Sequence, residues 1–212
     1  MTKFTDKNHE RLLKLVQIAL LTAITVILQL IGQVVNFGVF AGAIALIPII
    51  IGAILYGPLA GAWLGLAFGV TVLLFPEPVL TTYLLTINPF ATIVVVLLKG
   101  TLAGFVCGLS YKLFSKFFKG KYKYISSTIA ALLAPIVNTG IFFITFLLLF
   151  SDKMSLIAQH LFNDETMIVD NPASFIITVL ITFNFIFEVL FCIVFAPAIV
   201  RIVELGKKKT DK

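Results

Sequence analysis

Between Leu12 and Val203 the chain is a succession of apolar runs separated by short polar connections. Each run holds about 20 residues, the length that crosses ~30 Å of bilayer hydrocarbon when coiled into a helix. Repeated along a chain of 212 residues, such runs leave too little polar surface to cover a water-soluble core. Composition agrees, with 60% hydrophobic residues, 12% charged residues and a mean hydropathy of +1.10. The chain therefore reads as an integral membrane protein. In lipid every backbone N–H and C=O must be satisfied within the protein, which leaves helices or a closed barrel. Alternation of apolar and polar residues at period two, the mark of barrel strands, is absent, so the expected fold class is all-α.

Six transmembrane helices are predicted, at residues 12–33, 39–55, 57–75, 88–113, 124–150 and 174–203, forming a single integral membrane domain over residues 1–212. An even number puts the N- and C-termini on one side. Lys3, Lys7, Arg11 and Lys14 precede the first span, and Lys112, Lys116, Lys119, Lys121 and Lys123 link the fourth to the fifth. Arg201, Lys207, Lys208, Lys209 and Lys212 end the chain on that same side. The opposite side carries Glu77, Asp152, Asp164, Glu165 and Asp170 with a single lysine, Lys153. By the positive-inside rule both termini are cytoplasmic. The net charge of +6 is thus a topology signal, and no nucleic-acid partner is expected from juxtamembrane lysines that accompany no RNA- or DNA-binding motif. Cys107 and Cys192 sit inside apolar segments and read as small buried hydrophobes.

Glycine recurs every fourth residue at Gly57, Gly61, Gly65 and Gly69 in the third span, and at Gly100, Gly104 and Gly108 in the fourth. Each set forms a flat stripe on which another helix can approach closely. Packing within the bundle is the plainer use of these stripes, and docking of another protein the sharper one. Ala19 and Ala23 in the first span make a further small-x-x-x-small face that suits docking at least as well.

One charge lies inside this apolar material. Lys99 is about eleven residues, roughly 16 Å, beyond Asn88 at the start of the fourth span, and so near mid-membrane. An uncompensated ammonium there costs about 2.5–3.5 kcal/mol on an isolated helix, so it needs a carboxylate partner, a hydrated cavity or neutralisation. The acidic residue deep in another span is Glu188. Two readings follow: Lys99 and Glu188 pair across spans four and six and fix the bundle, or one or both face a pocket where Lys99 meets an anionic solute. Asn138 and Asn184, in spans five and six, and Tyr83 and Asn88, at the outer end of span four, either bond helix to helix or orient a small ligand in an apolar cavity.

Catalysis lacks its parts. The chain has no G-x-x-x-x-G-K-[ST] phosphate loop, and His9 and His160, its two histidines, lie outside the spans, which excludes an HExxH zinc site. Neither enzyme activity nor a cofactor or metal is expected. A small-solute binding protein that draws its energy from another subunit fits this inventory. The alternatives are a stand-alone secondary carrier and a non-transporting membrane assembly protein whose glycine stripes serve oligomerisation.

Three local patterns occur in a particular order: Ala19-Leu20-Leu21-Thr22-Ala23; Ile47-Pro48-Ile49-Ile50-Ile51-Gly52-Ala53 leading to Tyr56-Gly57-Pro58-Leu59-Ala60-Gly61; and Lys99-Gly100-Thr101-Leu102-Ala103-Gly104 running on to Gly108, Tyr111 and Lys112. With the six spans, the chain resembles the substrate-binding S components of energy-coupling factor (ECF) vitamin transporters over essentially its whole length. The resemblance implies an S-component-like bundle in the bacterial plasma membrane that binds a vitamin from outside and works with a transmembrane T subunit and two ATPase subunits. It implies that Ala19 and Ala23 contact the T subunit. It also implies an outward-facing substrate site that maps onto Asn36, Tyr83, Asn88, Asn138 and Asn184, with Lys99 and Glu188 at its floor. A buried cation suits a carboxylate-bearing vitamin such as pantothenate, with riboflavin and folate relatives left open.

Overall fold

The computed structural model describes residues 2–34, 40–77, 80–118, 123–181 and 185–195, together with Ala198 and Arg201. The regular structure among them is helical: α1 (Thr2–Val34), α2 (Phe40–Tyr56), α3 (Pro58–Leu74), α4 (Thr81–Ile87), α5 (Pro89–Phe117), α6 (Lys123–Phe150), α7 (Met154–Phe162), α8 (Pro172–Ile181) and α9 (Phe185–Phe195). Asn36, Asn184, Lys119, Lys121 and the basic tail beyond Arg201 lie outside the described residues.

Three stretches, Asn8–Gln33, Pro89–Phe117 and Tyr124–Phe162, are long and apolar enough to cross a membrane, and the bent pair α8 and α9 brings the number to four. α2 and α3 are shorter apolar helices. Within the sixth predicted span the two described helices are inclined to each other. α8 widens into a π-helical turn over Ile176–Ile181, and α9 leaves it at 43°. The connections between the third and fourth and between the fifth and sixth predicted spans hold two further short helices, α4 and α7.

Side-chain contacts give the helix directions. Trp63 Nε1 donates to Thr22 Oγ1 at 3.2 Å and Gln33 Nε2 to the Phe75 carbonyl at 2.6 Å, so α1 and α3 run parallel. Tyr56 OH donates to Gln17 Oε1 at 2.9 Å, which sets α2 antiparallel to α1. The reversal from α2 to α3 is made by Gly57, whose φ of 96° lies in the left-handed region that only glycine enters freely, followed by Pro58 at the first helical position.

The two glycine stripes meet each other. A Cβ on Gly61 or Gly65 would collide with the carbonyl oxygen of Gly104 or Gly100. One on Gly100 would lie 2.6 Å from the Gly65 oxygen, and one on Gly69 3.0 Å from the Val96 oxygen. Residue numbers rise along α3 as they fall along α5, so the pair is antiparallel and its backbones touch. Both stripes are consumed inside the bundle.

Around this seam two apolar clusters form. The first centres on Leu46, Ile49 and Ile50 of α2 with Leu64 and Phe68 of α3 and Ala134 of α6. The second lies at the other end, where Leu84 of α4, Ile157 of α7 and Ile176 of α8 pack on Phe146 and Phe150 of α6. The bundle's outer surface is itself apolar: Leu20, Ile27, Trp63, Phe90, Leu148 and Val194 are exposed, as suits contact with lipid.

Gly65→Ala is expected to lower the thermal stability of the detergent-solubilised protein by about 1–3 kcal/mol or more, because no side chain can move aside for the added methyl. Gly140→Ala is the control, since nothing lies within 4 Å of a Cβ built there. It should leave the melting temperature unchanged or slightly raised.

Candidate functional site

A cavity of about 300 Å³ lies between the two clusters. Thr92, Val95, Val96 and Lys99 of α5 line it. Their spacing puts them on one helix face, adjacent to the glycine seam. Lys99 points its ammonium over the Phe142 ring, 5.3 Å from the centroid, a cation–π contact. Among the described residues no carboxylate forms an ion pair with Lys99. Glu188 and, more weakly, Glu77 act on its charge at longer range.

Glu188, on α9, is 1% exposed and is held by two consecutive residues of α6. Its carboxylate accepts from Asn138 Nδ2 at 3.1 and 3.3 Å and from Thr139 Oγ1 at 3.1 Å. Pro135, three residues earlier, removes one backbone donor from α6 just before this pair. Phe142 lies one helical turn beyond Asn138, so the ammonium of Lys99 sits roughly 6 Å further along α6 than the Glu188 cradle. The cavity thus presents a negative group and a positive group at two levels.

Among the described residues two acceptors of the lining side chains have no donor. Asn138 Oδ1 and Gln29 Oε1 are buried without a hydrogen-bond partner, and both residues line the cavity. A carboxylate only accepts, so Glu188 takes the NH2 of Asn138 and its oxygen is turned elsewhere. Leu80, Thr81 and Leu84, from α4 and the segment leading into it, and Leu161 of α7 also line the cavity.

Residues 13–200 match the family described as ECF transporter, substrate-specific component. The chain belongs to that family. No curated protein and no solved structure gives a significant match to the chain. As a substrate-specific component it is a membrane-embedded, substrate-binding subunit of an ECF importer, a class of transport protein and not of enzyme.

Of the site residues expected in this substrate-specific component, Lys99, Asn138 and Glu188 come together at the cavity. Tyr83 and Asn88 are not among the residues lining it. Tyr83 ties α4 to α7: its hydroxyl donates to the Leu156 carbonyl at 3.3 Å, and its ring stacks on His160 with centroids 3.7 Å apart. Asn88 caps α5, its Oδ1 accepting from Ala91 N at 3.1 Å. Ala19 and Ala23 are exposed on α1 beside Leu20, Ile24 and Ile27.

Sequence reasoning missed Gln29 and Thr139. Each had a weak signal: Gln29 interrupts Ile27-Leu28-Gln29-Leu30-Ile31, and Thr139 directly follows Asn138. Thr139→Val keeps the side-chain shape and deletes one donor to a buried carboxylate. It is expected to destabilise the protein by about 1–3 kcal/mol, read as a lower melting temperature of the purified chain.

Proposed function

We propose that this substrate-specific component captures a small anionic vitamin, pantothenate-like in size and charge, from outside a bacterial plasma membrane and delivers it to the cytoplasm with an ATP-driven module. The observation that carries the reading is the convergence of Lys99, Asn138 and Glu188 on one cavity of about 300 Å³. That volume is at the small end of the ~300–1,000 Å³ typical of ligand sites, which favours a compact solute over the ring systems of riboflavin or folate. Lys99 supplies the cation for the acid group, and a desolvated ammonium in an apolar wall attracts an anion far more strongly than one in water.

Six crossings with cytoplasmic termini are part of the same reading. The directions of α1, α2 and α3, and the antiparallel α3–α5 seam, support an alternating bundle in which Arg11, Lys14, Lys112 and Lys116 share one end. The exposed Ala19 and Ala23 face of α1 is the surface we assign to the T subunit, which two ATPase subunits would drive. Because both glycine stripes are consumed between α3 and α5, they offer nothing to an assembly protein that oligomerises through them.

The test begins with the purified chain. Mass spectrometry of the denatured protein should find a stoichiometric carboxylate-bearing vitamin, and Lys99→Ala should weaken pantothenate binding by roughly 10- to 100-fold, the loss of one charge-assisted contact. Unchanged affinity with a lower melting temperature would make Lys99 a structural residue. Ala19→Trp or Ala23→Trp should preserve binding by the isolated chain yet abolish uptake by the assembled transporter. Uptake that persists in vesicles lacking any ATPase would point instead to a secondary carrier.

A further inference from the structure

Glu77 lines the same cavity, and the capture reading gives it no role. It follows α3, whose Gly69 lies against Val96 of the antiparallel α5, so it stands on the side of Val96 away from Lys99. In the capture reading that is the outer side. The stretch that carries Glu77 is held from both directions. Gln33 Nε2 of α1 donates to the Phe75 carbonyl at 2.6 Å, and the Glu77 carbonyl accepts from Thr82 N and Oγ1 of α4, each at 3.0 Å. The Glu77 side chain is partly exposed and makes no hydrogen bond or ion pair among the described residues. Its carboxylate is nevertheless close enough to act on the charge of Lys99. Glu188, by contrast, is 1% exposed, with its oxygens occupied by Asn138 and Thr139. The carboxylate that an incoming solute meets is therefore Glu77.

We propose that Glu77 filters solutes by charge: it lets an acid with one negative group reach Lys99 and turns away an acid with two, such as a dicarboxylate or a phosphate monoester. The proposal rests on the capture reading and narrows its substrate class. Among the described residues that line the cavity, Lys99 is the one cation. A single acid group placed on it leaves only uncharged parts of the solute beside Glu77. A second anionic group would have to leave water facing that carboxylate, with no cation to meet it, and an unpaired buried charge is costly. Like charges repel most strongly where low-dielectric walls exclude water and salt. Glu77 opposes a monoanion less, because the one charge of that solute lies deeper, at Lys99. The carboxylate thus weakens binding of the accepted solute a little and binding of a more highly charged one much more.

The experiment measures binding of pantothenate and of 4′-phosphopantothenate to the full chain in detergent. The phosphate ester adds a second anionic group at the far end of the same molecule. It should bind at least about tenfold more weakly than pantothenate. Glu77→Gln should tighten the phosphate ester by about tenfold and pantothenate by no more than about threefold, so that the gap narrows. The ligand-free melting temperature should not change, because the Glu77 side chain bonds to nothing among the described residues. Glu165→Gln is the control: it neutralises an exposed carboxylate between α7 and α8 that does not line the cavity, and it should leave the gap as it is. The phosphate ester binding as tightly as pantothenate, or a gap that Glu77→Gln leaves intact, would overturn the filter while capture of an acid stood. A gap narrowed as much by Glu165→Gln would also overturn it, since general surface charge would then be the cause. Failure of pantothenate itself to bind the wild-type chain would overturn the capture reading and the filter with it.

Discussion

Where Gly61, Gly65 and Gly69 of α3 meet Gly104, Gly100 and Val96 of α5, two helix backbones touch without side chains between them, and the contact fixes the rotation of α5 about its axis. In lipid there is no hydrophobic drive between helices, so close van der Waals contact of this kind is what holds a pair together. The rotation then decides the fate of Lys99. It immediately precedes Gly100, so it projects roughly 100° away from the seam, and Thr92, Val95 and Val96 face the cavity with it. A side chain that would be costly against lipid is thereby delivered to an internal wall.

The cavity is polar only where polarity is organised. Glu188 is cradled by Asn138 and Thr139, and Lys99 lies over an aromatic face instead of in contact with a carboxylate. The sequence posed an ion pair and a solute pocket as alternatives for these two charges. The geometry separates them by about one helical turn along α6 while leaving them on one cavity, so each feels the other's field without closing the space between them. In the low dielectric of such a site these fields are strong, and that is the property a selective binding pocket needs.

Much of the fold was legible because membrane helices write themselves as long apolar runs. α1, α2, α3, α5 and α6 fall where the runs fall, and the glycine period announced a close helix contact before its partner was known. What the runs could not convey is local and geometric. The π-helical widening of α8 has no proline or glycine within Ile176–Ile181 to announce it. The helices α4 and α7 lie in the connections between the long runs and are too short to give a membrane-crossing pattern of their own. For the site, charge was the legible part: Lys99 and Glu188 stand out against an apolar background. Polar neutral residues did not sort themselves, because an asparagine that caps a helix, such as Asn88, and one that lines a cavity, such as Asn138, look alike until the rotation of their helices is known. Gln29 and Thr139 were lost for the same reason.

The polar lining draws on α1, α5, α6 and α9, elements far apart in the chain. A buried acceptor with no donor costs about 1–3 kcal/mol, and among the described residues Asn138 Oδ1 and Gln29 Oε1, on different helices, are two such groups. The glycine seam and the packing of Leu46, Ile49, Ile50 and Leu64, none of which lines the cavity, hold the bundle against that penalty. A wall so arranged is less stable on its own than an apolar one would be. Free ligand in excess of its Kd would shift the folding equilibrium further toward the native bundle.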